Sequence, residues 1–192
     1  AIAVFGHTGN VGRYVKAYCE HSGYHVLTQS RFDAATVSSE ELQTLLALVP
    51  HGAVVINCIG AIPQRGTDKD MEAVNAQFPH RLFAACTQAG VTLIHLTTDC
   101  VYSGKHGLYS ERHTADPQDE YGRTKLAGEP AGATVLRTSF VGSEQYNKVS
   151  LLEQVRLQRS GSCLAYRNHY WNGVTCLQLA KFLESVVTRG EY

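Results

Sequence analysis

The first 23 residues, AIAVFGHTGNVGRYVKAYCEHSG (1–23), contain the pattern that decides the fold. The stretch opens with an apolar, β-capable run that ends at Gly6, which is typical of a buried parallel strand. Apolar residues then recur with helical spacing over residues 10–23, and Gly23 marks the end of that helix. A strand, a glycine loop and a helix in this order predict an α/β fold with a parallel sheet.

The rest of the chain continues the alternation of strands and helices. Further strands are predicted at 24–30, 53–60, 91–99, 133–140 and 162–166, and further helices at 38–50, 70–90, 120–129, 150–161 and 175–187. Ser38 with Glu41, and Thr175 with Gln178, have the spacing of capping boxes, and Pro79 should kink its helix or mark a start within it. We therefore expect a Rossmann-type, doubly wound parallel sheet with helices on both faces.

Composition narrows the choice of partners and compartment. The 192 residues include 17 Lys and Arg against 17 Asp and Glu, so the net charge gives no reason to expect nucleic acid or an anionic membrane as a partner. Six cysteines are scattered without a CxxC pair, and nine histidines show no ligand spacing, so neither a metal site nor a disulfide framework is predicted. Buried free thiols and the lack of a secretory pattern favour a cytoplasmic protein.

The glycine loop between the first strand and helix has the pattern GxxGxxG. Glycine permits a tight turn and lets backbone N–H groups approach a pyrophosphate at a helix N-terminus, where the helix dipole favours anions. A turn glycine plus a glycine needed for helix packing would be the alternative explanation. The strand before the loop and the helix after it favour dinucleotide binding. The expected contacts are Gly6, Thr8, Gly9, Asn10, Val11 and Gly12.

The end of the second strand bears on which dinucleotide is bound. An acidic residue there would hold the adenosine ribose, but the strand ends in Ser30 and Arg31. A hydroxyl and a permanently charged guanidinium suit a 2′-phosphate, so NADP(H) is favoured over NAD(H). Asp33 is the counter-argument, because it could take the ribose or equally contact the adenine amine.

The stretch EYGRTKLAGE (120–129) places Tyr121 and Lys125 four positions apart on one helix face. Such a pair is also a common surface feature. An ammonium beside a phenol lowers the phenol pKa from about 10, which would prepare Tyr121 to transfer a proton. Thr97, Thr98 and Asp99 end a preceding strand and could supply a second hydroxyl; the two threonines point to opposite faces, so only one can serve.

Six segments in sequence order carry a resemblance to a known family. They are GHTGNVG (6–12), VINCIGAI (55–62), AVNAQFPHRL (73–82), HLTTDCVYSG (95–104), DEYGRTKLAGE (119–129) and VLRTSFVG (135–142). Together they resemble the extended short-chain dehydrogenase/reductases, most closely the dTDP-4-dehydrorhamnose reductases and related nucleotide-sugar reductases. The resemblance covers about the first 145 residues well. It implies a dinucleotide-binding domain at 1–145, with 146–192 as part of a small C-terminal substrate-binding lobe, shorter than in the family.

The resemblance also implies residue roles. Thr98 takes the Ser/Thr role, Tyr121 the acid/base role, and Lys125 the partner that also holds the nicotinamide ribose. Tyr121 is implied to contact the cofactor as well. Further implied cofactor contacts are Cys58, Ile59, Gly60, Ala61 and Asn75, although Asn75 could equally cap a helix kink before Pro79. Implied substrate contacts are Asp99, Tyr102, Thr138, Phe140 and Trp171; Trp171, or its neighbour Tyr170, would stack on a sugar or base, with plain aromatic packing as the alternative.

These implications lead to one expected function and two alternatives. The expected function is NADPH-dependent reduction of a keto-deoxy nucleotide sugar, with a homodimer as a further expectation. An epimerase or dehydratase with tightly bound NAD is one alternative, which the missing ribose-binding acid disfavours. A non-catalytic, NADP-binding regulatory subunit is the other, and the intact Thr98, Tyr121 and Lys125 set disfavours it.

Overall fold

A five-stranded parallel sheet forms the centre of the fold, in a computed structural model that describes residues 1–65, 70–146, 148–157 and 166–192. Its strands are β1 (Ile2–Phe5), β2 (Val26–Thr28), β3 (Val54–Asn57), β4 (Thr92–Thr97) and β5 (Thr134–Arg137), in the spatial order β2-β1-β3-β4-β5. Every adjacent pair is parallel. The predicted Rossmann-type sheet is confirmed. The strand order reverses between β1 and β3, where such sheets bind ligands beyond the carboxyl ends of their strands.

Helices lie between the strands along the chain. They are α1 (Asn10–His21), α2 (Ser39–Leu46), α3 (Phe78–Ala89), α4 (Glu120–Ala127), α5 (Leu151–Leu157) and α6 (Cys176–Arg189), with a π-helical segment at Glu72–Gln77 and 3-10 turns at Pro63–Arg65 and Asp99–Val101. Both predicted capping boxes are present, at the starts of α2 and α6. Across the described parts of the chain, no helix is long and apolar enough to cross a membrane.

The sheet has a hydrophobic core on each face, which explains why its strands are apolar at successive positions. In β1, Ala3 and Phe5 join a cluster with α2 and α3, while Ile2 and Val4 join a second cluster with α1 and α6. Side chains alternate between the faces of a strand, so a strand covered on both faces needs apolar residues throughout.

Helix α6 belongs to the core of the sheet. Its residues Leu179, Ala180 and Leu183 are buried in the same cluster as Ile2 and Val15 of the first strand and helix. After residue 145 the chain returns to the cluster that contains Ile2 and Val15. A boundary at residue 145 therefore does not separate two hydrophobic cores. The assignment of 146–192 to a substrate lobe stays a prediction.

The region after β5 departs from the predicted elements. The strand expected at 133–140 is divided: β5 ends at Arg137, and β6 (Phe140–Val141) pairs in parallel with β7 (Val174–Thr175) in a separate two-stranded sheet. The helix expected at 150–161 is described as far as Leu157. Residues 158–165, which include most of the strand expected at 162–166, lie outside the described residues.

Candidate active site

A cleft of about 1170 Å³ opens at the carboxyl ends of β1 and β3. This exceeds the usual volume of drug-sized ligand pockets, as an elongated dinucleotide requires. Ten residues expected to contact a cofactor line this cleft: Gly6, Thr8, Gly9, Asn10, Ser30, Arg31, Asp33, Cys58, Ile59 and Gly60. Sequence reasoning missed other lining residues, among them Gln145 and Tyr146, which follow β6 in the chain.

The glycine loop is packed so closely that larger residues would not fit. Gly6 has a φ of +79°, a left-handed conformation that favours glycine, and a Cβ on Gly12 would overlap the Gly6 carbonyl oxygen. Gly9, the N-cap of α1, has no side chain with which to cap that end, so it leaves backbone N–H groups at the helix start for a ligand. The loop therefore fits the phosphates of a dinucleotide.

The loop after β2 is held in place by contacts from neighbouring elements. The Phe32 ring lies between those of Phe5 and Phe78, each with a centroid separation of 5.9 Å. Arg81 Nη2 donates to the Ala34 carbonyl at 3.0 Å. The Asp33 carboxylate accepts from the Ala35 N–H at 3.0 Å. Ser30 and Arg31 are exposed on this fixed loop, so the cleft presents a hydroxyl and a cation on a preformed wall.

Six of the predicted cofactor residues do not line the cleft. They are Val11, Gly12, Ala61, Asn75, Tyr121 and Lys125. Val11 packs into the core and Gly12 is buried where it supports the loop, and the contact of either residue with a cofactor stays a prediction. Of the other four, Asn75 and Lys125 lie next to Gly60, where a Cβ would stand 3.6 Å from Asn75 Oδ1 and 3.7 Å from Lys125 Nζ.

Asn75 connects the segment after β3 to α4. Its Oδ1 accepts from the Ala61 N–H at 2.8 Å, and its Nδ2 donates to the Ala61 carbonyl at 3.0 Å and to Thr124 Oγ1 at 3.4 Å. The residue is 1% exposed, so these bonds satisfy a buried amide. Asn75 thus connects the segment after β3 to α4 by hydrogen bonds. Its contact with a cofactor stays a prediction.

The three residues with the expected chemistry, Thr98, Tyr121 and Lys125, stand at the end of β4 and on α4. The Asp119 carboxylate caps α4 by accepting from the Gly122 N–H at 2.7 Å, which sets the register of Tyr121. The Thr97 hydroxyl donates to the Lys125 carbonyl at 3.3 Å and holds α4 against β4. Thr98 contacts the Tyr121 phenol through its hydroxyl. Thr98 is thus the threonine that faces the phenol, as the alternation along the strand requires.

Burial dominates the electrostatics of this site. It raises the pKa of Tyr121 to about 12, an effect that the hydrogen bond with Thr98 opposes. Burial also lowers the pKa of Lys125 to about 8, while the Glu129 charge opposes that change. Lys125 Nζ donates to the Leu96 carbonyl at 2.8 Å. The predicted lowering of the Tyr121 pKa is wrong for this structure, because desolvation raises that pKa.

The predicted substrate residues fall into separate places. Asp99 and Trp171 are connected through Ser139, which donates to Asp99 Oδ2 at 2.8 Å and accepts from Trp171 Nε1 at 2.6 Å. Tyr102 accepts from Arg137 Nη1 at 2.6 Å. Thr138 lines a second cavity, of about 520 Å³, beside β5, and Phe140 is partly exposed on β6.

Two connections near the site were not found by sequence reasoning. Arg137 forms a two-pronged ion pair with Glu129, and the pair fixes the end of β5 against the turn after α4. Arg13 of α1 donates to the carbonyl and hydroxyl oxygens of Ser143. For Glu129, the only sequence signal of a place near the site was its spacing of four positions after Lys125. The contact of Arg13 with Ser143 joins residues 130 positions apart, so no local pattern could predict it.

The fold and this arrangement define an α/β protein with a Rossmann-type sheet, whose switch-point cleft reaches Lys125 at Gly60. The chain belongs to the RmlD substrate binding domain family, which matches residues 1–183. It is 33% identical over 156 residues to dTDP-4-dehydrorhamnose reductase of Mycobacterium tuberculosis, covering 73% of this chain and 50% of that protein.

Two further comparisons extend the range of relatives. The chain is 26% identical over 170 residues to methionine adenosyltransferase 2 subunit beta of Rattus norvegicus, covering 80% of this chain and 49% of that protein. The crystal structure of dTDP-4-dehydrorhamnose reductase from Bacillus anthracis in complex with NADP shares the fold, with a TM-score of 0.80 at 20% identity over 97% of this chain and 70% of that one. The chain spans about half the length of the curated relatives it matches.

Proposed function

We propose that the protein is an NADPH-dependent reductase of a keto-deoxy nucleotide sugar. The observation that carries the proposal is the position of Gly60, which lines the nucleotide cleft and lies against Lys125 of the Thr98, Tyr121 and Lys125 set. A dinucleotide in the cleft and a carbonyl beside the phenol would thus be neighbours. The dTDP-4-dehydrorhamnose reductases among the relatives support this class of substrate.

NADPH suits the cleft better than NADH. Ser30 and Arg31 line the cleft and present a hydroxyl and a guanidinium to it. Both residues are exposed. Asp33, the residue that could hold a ribose, accepts a hydrogen bond from the Ala35 N–H of its own turn. A planar guanidinium pairs well with a phosphate, so the cation favours a 2′-phosphate.

In the proposed reaction, bound NADPH supplies the hydride. Tyr121 supplies the proton to the carbonyl oxygen, and its raised pKa keeps the phenol protonated at neutral pH. Thr98 donates a second hydrogen bond to the same oxygen and orients it. Lys125, positively charged below a pKa of about 8, favours the phenolate that forms when the proton leaves.

The remaining assignments follow from the proposed activity. The partner is a small-molecule nucleotide sugar, and it would bind at the cleft or at the second cavity beside β5. We propose a cytoplasmic location, because the described cysteines are free and three of them are buried. A homodimer and the lack of nucleic acid binding stay predictions, as do the individual residue roles.

The test is a panel of dTDP- and UDP-linked 4-keto-6-deoxy sugars with NADPH, followed by the loss of nicotinamide absorbance. We expect consumption with at least one dTDP-linked sugar. Tyr121→Phe should lower kcat by about 10²-fold or more, the contribution of a positioned acid, with the Kd for NADPH unchanged. Full activity of Tyr121→Phe, or consumption of no sugar in the panel, contradicts the proposal. An exposed variant on the same helix, Arg123→Ala, is the control.

A non-catalytic binding subunit is the second candidate. The relative from Rattus norvegicus is named as a beta subunit of a methionine adenosyltransferase, and the match covers 80% of this chain. Binding of NADPH without turnover of any sugar, together with an unchanged Kd in Tyr121→Phe, would favour this candidate. Turnover that Tyr121→Phe abolishes would favour the reductase.

A further inference from the structure

A chain of hydrogen bonds runs from the segment before β7 to the threonine of the candidate site. Trp171 Nε1 donates to Ser139 Oγ at 2.6 Å, and Ser139 Oγ donates to Asp99 Oδ2 at 2.8 Å. The other oxygen of that carboxylate, Oδ1, accepts from the Thr98 hydroxyl at 3.5 Å. Successive members of the chain are as many as 40 positions apart in the sequence, so only the fold brings Trp171, Ser139 and Asp99 together.

The chemistry of the groups fixes the direction of the Trp171 and Ser139 protons in this chain. An indole N–H can only donate, so the Ser139 oxygen must accept from Trp171. A carboxylate can only accept, so the single Ser139 proton must point to Asp99. The Trp171 indole thereby leaves Ser139 one orientation, and Asp99 always has a donor on Oδ2.

The lengths of the bonds show which contact can be exchanged. The bond from Ser139 to Asp99 is of normal length at 2.8 Å, whereas the bond from Thr98 is long at 3.5 Å and correspondingly weak. Thr98 Oγ1 also accepts from the Cys100 N–H at 3.2 Å, which holds the oxygen in place while its proton can turn. The Thr98 proton can therefore leave Asp99 for a substrate oxygen at little cost.

The position of Trp171 is itself restrained. A Cβ on Gly173 would overlap the Trp171 ring, so the ring packs against the glycine backbone. The Val174 N–H donates to the Ser139 carbonyl at 3.1 Å, so Ser139 receives both a backbone and a side-chain bond from this segment. One face of the indole is covered by its own segment and its N–H is committed to Ser139.

We propose that Trp171 and Ser139 are positioning residues, which hold the Asp99 carboxylate so that the Thr98 hydroxyl is directed to the substrate carbonyl. This inference rests on the proposed reductase function. It gives Trp171 a role through its N–H, which differs from stacking of its ring on a sugar or base. Ser139 then links the segment around Trp171 to the reacting oxygen.

Kinetics of single and double variants test the chain. Trp171→Phe, which keeps an aromatic ring, and Ser139→Ala should each lower kcat about fivefold to tenfold, the effect of one hydrogen bond, with the KM for NADPH unchanged. The double variant should lose no more than Ser139→Ala, since both changes interrupt the same chain. Ser139→Thr should keep wild-type kcat, and so should Tyr166→Phe, an exposed tyrosine of the same segment. Losses that multiply in the double variant, or single variants with wild-type kcat, overturn the proposal.

Fluorescence provides a readout that does not depend on turnover. Trp171 is the only tryptophan in the sequence, so the emission of the protein reports on this one indole. Ser139→Ala should shift the emission, whereas Ser139→Thr should retain the wild-type spectrum. Identical spectra for all three proteins overturn the hydrogen-bond chain. If the wild-type protein consumes no NADPH with any sugar, the proposed function fails, and the emission still decides whether the chain of bonds exists.

Discussion

Lys125 and Tyr121 show what burial does to a charge-bearing pair. Taking either group out of water disfavours its charged form, so the pKa of the lysine falls to about 8 and that of the tyrosine rises to about 12. At neutral pH the pair therefore consists of an ammonium and a neutral phenol. That combination suits proton donation by the phenol, with the cation favouring the product phenolate.

The Lys125 pKa predicts how stability depends on pH. The unfolded chain holds the lysine proton up to a pKa of 10.5, the folded chain only up to about 8, so the unfolded state binds more protons between these values. Stability of the wild type should then rise with pH relative to Lys125→Met, by about 2 kcal/mol from pH 8 to pH 10. Urea unfolding of both proteins across this range measures the difference. A difference that stays constant with pH contradicts the lowered pKa.

At the residue scale, the sequence allows candidate site residues to be named where chemistry is carried by local spacing. The threonine, tyrosine and lysine were recognisable because a strand end and a helix turn place them at fixed positions. Ser139 as the link between Asp99 and Trp171 could not be predicted, since its partners are 40 and 32 positions away. The sign of the Tyr121 pKa shift was also beyond reach, because it depends on burial and not on the neighbour four positions on.

At the scale of elements, helix starts could be predicted from local sequence signals, whereas contacts between distant elements could not. The two capping boxes were predicted from a hydroxyl and an acidic or amide residue three positions on, and both helices begin there. The π-helical segment Glu72–Gln77 had no comparable signal. It brings Asn75 to Ala61 and Thr124, and such segments often occur at functional sites.

The contact between this π-helical segment and α4 should be sensitive to a single methyl group. A Cβ on Gly128 would overlap the Asn75 carbonyl oxygen and lie 2.8 Å from its carbon, so Gly128→Ala must push the two elements apart. We expect the free energy of unfolding to fall by about 3 kcal/mol, at the upper end of overpacking effects. Urea denaturation measures this, with Ala127→Ser as a control that adds one atom to an exposed side chain. Equal stability of Gly128→Ala and the control would contradict the close packing.

For the molecule as a whole, the C-terminal helix is the least expected part. Periodicity predicted the helix, and the sequence resemblance assigned it to a substrate lobe. In the structure, α6 packs against α1, and its buried residues share a cluster with β1, β3 and β4. Periodicity identifies an apolar helix face, but it contains no information on which surface covers that face.

This packing predicts that α6 and the sheet unfold together. Leu183 is fully buried in the shared cluster, so Leu183→Ala should remove about 2–5 kcal/mol of stability, the cost of a large cavity in a core. Leu177, 43% exposed on the same helix, provides the matched control, and Leu177→Ala should change stability little.

The measurement is urea unfolding followed both by circular dichroism and by the emission of Trp171. If α6 belongs to the core of the sheet, both signals should move to lower urea together in Leu183→Ala, because one cooperative unit has lost packing. A circular dichroism transition that keeps its wild-type midpoint while the tryptophan signal shifts would instead mean that α6 folds with a separate lobe.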